Sequence, residues 1–178
     1  MSGQEQRGRR LVLAGVSALA ILIADRVTKN LVEAKLRLSE SVPVVAGWVD
    51  LVRVENPGAA FSLFADWSPG VRQAVLVAYS VIAILILAWL IFRPWGKGRL
   101  VPISLGLILG GAAGNLVDRL RTGRVVDFVD LHWGGWHWPA FNVADSAITI
   151  GVALLLLLGW RDEAGRPGSK SPEKVLEK

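Results

Sequence analysis

Residues 74–92 read AVLVAYSVIAILILAWLIF, an apolar run without a single charged side chain. A helix rises 1.5 Å per residue, so about 20 such residues cross the ~30 Å hydrocarbon core of a bilayer. The run therefore predicts a transmembrane helix over about residues 72–92. Three further blocks repeat the signal on either side of it. One begins at Leu11 and continues through Asp25, Arg26 and Lys29, giving a span over about 11–32. A glycine-rich block gives a span over about 99–118, and a Leu-rich block gives one over about 143–160 with Asp145 near its start.

The whole chain fits this reading. It has 178 residues, of which 52% are hydrophobic, and the apolar excess lies in the four blocks instead of being dispersed as in a soluble core. We read residues 1–178 as a single membrane domain. The net charge of +5 comes with no nucleic-acid-binding signature; it belongs to arginines and lysines flanking the spans. With no cysteine, disulfides, thiol nucleophiles and cysteine metal clusters are excluded. Arg7, Arg9 and Arg10 ahead of the first block also resemble the start of a cleavable signal peptide. The helix-compatible stretch that follows favours an uncleaved first span. Arg93, Lys97 and Arg99 between the second and third spans, and the basic tail 161–178, place both termini on the cytoplasmic side. Arg119, Arg121 and Arg124 run against that rule and are partly offset by Asp118, Asp127 and Asp130.

Two segments then face outward. Within residues 37–70, Val42–Val45 and Trp48–Val54 are β-branched and partly alternating, which predicts short strands. Residues 121–141 read as an outer loop in which Trp133, Trp136 and Trp138 surround Gly134 and Gly135. The tryptophans suit an interfacial aromatic belt or the packed core of that loop.

Charged residues inside spans are costly and face protein or a functional cavity. Here they gather at the outer end. Asp25 and Lys29 are four apart, on one helix face in the favoured order. Gly106, Gly110 and Gly114 form a small-residue stripe for close helix packing, and Asp118 continues that face. Asn115 and Arg119 form a neighbouring pair, and Asp118 and Arg119 can close the helix end by pairing with each other. Asn142 and Asp145 sit where a helix cap belongs. With Asn56 they bring acids and amides to one membrane depth. Carboxylates crowded into a partly dry pocket cannot all ionise, so one holds a proton while another activates water. Asp127, Asp118 and Asp130 are equal candidates for the partner of Asp145 at this point. A proton-coupled transporter is the alternative, but it would spread polar residues across the membrane. A metalloprotease would need a metal-binding pattern that His132 and His137 do not form, and Ser104 and Ser146 have no base at fixed spacing for a serine enzyme.

Five blocks in order carry a family likeness: Asp25-Arg26-Val27-Thr28-Lys29, Asn56-Pro57-Gly58-Ala59-Ala60-Phe61, Gly110 to Arg119, Val125-Val126-Asp127-Phe128, and Phe141-Asn142-Val143-Ala144-Asp145-Ser146. Together they resemble the lipoprotein signal peptidases (signal peptidase II) of bacterial inner membranes. The resemblance implies an all-α membrane protein with four transmembrane helices, a small extracytoplasmic β-cradle within 37–70 and a short periplasmic helix. It implies an aspartyl endopeptidase that cleaves prolipoproteins before a diacylglyceryl-modified cysteine, at the outer edge of the membrane. The catalytic pair then falls on Asp127 and Asp145, with Asp25, Lys29, Asn56, Gly58, Asn115, Asp118, Arg119 and Asn142 binding substrate or supporting the site. Membrane lipid and globomycin-type inhibitors are the other implied partners. No metal or cofactor is implied.

Overall fold

The four apolar runs form four helices in the computed structural model, which describes residues 2–58, 67–93 and 98–164. They are α1 (Gly3–Lys35), α2 (Pro69–Ile91), α3 (Leu100–Thr122) and α4 (Val143–Ala164). All four are long and apolar enough to cross a membrane. Helix α1, with 33 residues, is roughly 50 Å long and outruns the hydrocarbon core at both ends. Its start is fixed by a capping box, in which the Ser2 hydroxyl accepts from the Glu5 N–H and the Glu5 carboxylate accepts from the Ser2 N–H.

Helix α3 is the central element and packs against the other three. Its glycines make this possible. A Cβ built on Gly106 would lie 2.4 Å from the Ala14 carbonyl oxygen, and one on Gly110 would lie 2.5 Å from that of Ala18. Gly111 meets α4 in the same way, 2.4 Å from the Ala144 carbonyl oxygen. The small-residue stripe thus brings backbone against backbone on two sides of α3. The outward faces of α1, α2 and α4 expose Val16, Leu19, Leu85, Ile86 and Leu156, side chains suited to lipid.

A four-stranded antiparallel sheet caps one end of the bundle in the order β1-β2-β3-β4. Strands β1 (Ser41–Val45) and β2 (Val49–Asn56) match the two predicted strands. Strands β3 (Val125–Trp133) and β4 (Trp136–His137) occupy the segment read as an outer loop. That segment is held by pairing: Asp127 lies opposite Val54 and Val125 opposite Asn56. Gly123, at φ 74°, ends α3 in the left-handed region and turns the chain into β3. Val126 and Phe128 then pack on Val32 of α1, a small apolar core between sheet and bundle. Arg53 of β2 donates to the carbonyls of Glu33 and Leu36, satisfying the last turn of α1. The tryptophans form no packed loop core: Trp133, Trp136 and Trp138 are exposed, with Trp48 stacked on Trp133 at 5.8 Å. The short helix expected after the strands, and Ala59–Phe61 of its motif, fall on residues outside those described.

Candidate active site

Helix α4 begins with a second capping box, and this one includes Asp145. The Asn142 side-chain oxygen accepts from the Asp145 N–H at 2.9 Å, while Asp145 Oδ2 accepts from the Asn142 N–H at 3.2 Å. The cap fixes the Asp145 carboxylate against the helix N-terminus, where a negative charge is stabilised. Its other oxygen, Oδ1, accepts from the Asn115 amide of α3 at 2.8 Å. The Asn142 amide nitrogen turns the opposite way and donates to Asp127 Oδ1 at 2.7 Å. Asn142, fully buried, therefore touches both aspartates.

Asp127 comes from the buried part of β3. Its Oδ2 accepts from the Asn56 amide at 3.2 Å, across the β2–β3 pairing. Asn56 is oriented by Gly58, whose N–H donates to the Asn56 side-chain oxygen at 3.0 Å. Asp127 as a residue is only 3% exposed. Burial, and then the charge of Asp145, push its pKa up to about 7; the two amides oppose that shift and are outweighed. Beside the pair lies a groove of about 420 Å³, where Leu131, Phe141 and Thr149 flank Asp145 and Ser146.

Behind the acids sits a buried ion cluster. Lys29 Nζ is 2.8 Å from Asp25 Oδ2, 2.8 Å from Asp118 Oδ2 and 3.0 Å from Asn115 Oδ1, three acceptors for three ammonium hydrogens. Arg26 pairs with Asp118 Oδ1, and Asp25 Oδ1 accepts from the Ala144 N–H of α4. Asp118 Oδ2 also faces the Val126 N–H at 3.4 Å. One network thus ties α1, α3, α4 and β3 together at the depth of Asp145.

The structure brings Asp25, Lys29, Asn56, Gly58, Asn115, Asp118, Asp127, Asn142 and Asp145 into this continuous set. It departs from the sequence reading in pairing. Asp118 bonds Arg26 and Lys29 rather than Arg119, because α1 packs on that face of α3. Arg119 reaches Ser80 of α2 at 3.5 Å instead of pairing with Asn115. Asp130 faces outward to His137 at 2.9 Å and takes no part. Arg26 and Ser80 were missed. Arg26 stood beside Asp25 in the sequence, but only the α1–α3 approach shows its partner, and a lone serine in an apolar span gave no signal. Among the described residues no group of three or more potential ligands is placed to hold a metal ion.

Four apolar helices capped by a sheet, with amide-held carboxylates at their junction, fit a multi-pass membrane enzyme of the aspartic type. Known proteins match this description. The family model for signal peptidase (SPase) II matches residues 17–161. The lipoprotein signal peptidase of Syntrophotalea carbinolica is 45% identical over 82% of this chain and 89% of its own. That of Nitratidesulfovibrio vulgaris is 44% identical over 90% of this chain and 96% of its own. Among solved structures, a bacterial membrane enzyme determined in meso at 2.3 Å superposes with a TM-score of 0.78 at 26% identity, covering 89% of this chain and 93% of that one. A second, at 1.9 Å, gives 0.73 at 27% identity, covering 82% and 90%. The chain belongs to the signal peptidase II family, a family of aspartic peptidases, and is a multi-pass protein of the bacterial inner membrane.

Proposed function

We propose that the protein removes the signal peptide from prolipoproteins by cleaving before the diacylglyceryl-modified cysteine, with Asp127 and Asp145 as the catalytic pair. The observation that carries this reading is Asn142, whose cap and amide touch both carboxylates at once. Such a clamp keeps two acids close in a site too dry for both to ionise. Burial and the neighbouring acid favour the protonated form of Asp127, which leaves Asp145 as the base.

Water attacks the scissile carbonyl carbon and gives one proton to the Asp145 carboxylate. The Asp127 proton hydrogen-bonds to the carbonyl oxygen as negative charge grows there. Collapse of the tetrahedral intermediate breaks the C–N bond, and the proton held by Asp145 passes to the leaving amine of the cysteine. The remaining predicted residues act behind this pair: Asn56, Gly58, Asn115 and Asn142 orient it, and Asp25, Lys29 and Asp118 hold the helices that carry it. Arg119 contributes positive charge to the same end of the bundle.

A lipid-anchored cysteine keeps the scissile bond at the membrane surface, so the reacting acids belong at a span end. On this reading both termini are cytoplasmic, and the sheet lies on the outer side. The groove of about 420 Å³ beside Asp145 takes the residues around the cut, and globomycin-type inhibitors compete there. The test is cleavage of a lipidated precursor by wild type, Asp127→Asn and Asp145→Asn. Loss of turnover in both folded variants is expected; near-full turnover in either would overturn the pair.

A further inference from the structure

At the end of the bundle away from the sheet, a cavity of about 300 Å³ is lined by Gly3, Arg7, Arg10, Ile91, Phe92 and Arg93. Arg7 and Arg10 are three apart, so they share a face of α1. Arg93 follows the last turn of α2. Among the described residues, the cavity lining contains no carboxylate. Glu5, the acid nearest it on α1, is committed to the Ser2 N–H at 2.7 Å. Three guanidinium groups from two helices thus meet around one space.

Two of them are oriented by aromatic rings. The Arg7 guanidinium lies over Phe92 at 5.9 Å, and that of Arg93 over Trp89 at 4.1 Å. Stacking uses the face of the guanidinium and leaves its N–H edge for an acceptor, and that edge matches two oxygens of a phosphate. The depth of the cavity narrows the choice of ligand. Arg10 immediately precedes the apolar run that begins at Leu11, and Ile91 and Phe92 end the apolar run of α2. Both helices change from charged to apolar here, as a membrane does between headgroups and acyl chains.

We propose that this cavity binds the phosphate of an anionic phospholipid headgroup, with the acyl chains running along the lipid-facing sides of α1 and α2. The proposal does not depend on the roles of Asp127 and Asp145. Basic pockets between helices are suited to such headgroups, each cation adding to the attraction.

The test uses the full-length protein in a mild uncharged detergent, titrated with phosphatidylglycerol or phosphatidylcholine and read by native mass spectrometry. Phosphatidylglycerol is expected to bind wild type with clear preference. R7Q/R10Q/R93Q should lower its retention by about tenfold or more. R37Q/R121Q/R124Q, which removes the same charge at the sheet end, should leave retention unchanged. Circular dichroism and melting temperature check that each variant is folded. Equal losses in the two variants, or equal binding of the two lipids, would overturn the proposal. Displacement of the lipid by inorganic phosphate at matched concentration would instead assign a free-phosphate site and overturn the lipid reading.

Discussion

Replacing Asp127 by Asn should make the folded protein gain stability relative to wild type as pH rises. The ordinary carboxyl value is 3.8, and in the folded protein Asp127 is pushed up to about 7. Between these values the unfolded chain releases the proton and the folded chain keeps it. Below 3.8 both states are protonated and Asp127 imposes no penalty. As pH rises through the window the unfolded state is favoured by about 1.4 kcal/mol per unit, until the folded carboxyl also ionises near 7. The full penalty is about 4 kcal/mol, and roughly 3 kcal/mol of it develops between pH 5 and pH 8.

An Asn at 127 does not titrate, so it escapes this penalty. It has a fixed cost of its own: Asn56 and Asn142 each donate to one Asp127 oxygen, and an amide offers only one oxygen. A stranded donor costs about 1–3 kcal/mol at every pH. The difference between pH values isolates the titration from that cost. With about 2–4 °C per kcal/mol for a chain of this size, the melting temperature of Asp127→Asn minus that of wild type should rise by roughly 5–10 °C from pH 5 to pH 8. Tryptophan fluorescence during a thermal ramp in detergent reads it directly. A gap that stays flat with pH would refute the raised carboxyl, and with it the assignment of the proton to Asp127.

Asn142→Ala removes the α4 cap and the tie to Asp127 together, so it should cost about 1 kcal/mol of stability and lower kcat on the order of a hundredfold. Unchanged kcat with a lowered melting temperature would reduce Asn142 to a cap alone. Lys29→Met leaves Asp25 and Asp118 facing each other without the ammonium; a loss of about 3–5 kcal/mol is expected, partly restored by adding Asp25→Asn. Wild-type melting of the single variant would contradict that account. Gly110→Val drives a side chain into the Ala18 backbone, with Cβ 2.5 Å from its oxygen, and should destabilise by about 1–3 kcal/mol or more. Gly15→Ala, whose Cβ meets nothing within 4 Å, should melt like wild type.

The helices were legible because each span must satisfy its own backbone hydrogen bonds and show lipid a continuous apolar surface. Strand β3 was not. Its first four residues, Val125–Phe128, are buried, so no polar–apolar alternation marks them, and its existence depends on β2, some seventy residues away. Missing the strand also left the acids unresolved. In a strand, Asp127 and Asp130 project to opposite faces, so only one of the two could have faced Asp145. Asp118 needed the α1–α3 approach, because its partners Arg26 and Lys29 lie on another helix. The family likeness chose Asp127 without supplying these reasons.

Asn142 and Asp145 were read as a helix cap competing with a chemical role, yet both descriptions hold for the same hydrogen bonds. A capping box needs an amide at the first position and a carboxylate three residues on; this one also fixes one oxygen of Asp145 and points the amide at Asp127. The ion cluster behind it follows a related logic. Asp25 and Asp118 contribute two negative charges, Arg26 and Lys29 two positive ones, so the cluster sums to zero. A surplus cation there would favour ionised Asp127 and release its proton, whereas a surplus anion would hold that proton more tightly. A neutral cluster anchors three helices at the site and leaves the proton of Asp127 governed chiefly by burial and by Asp145.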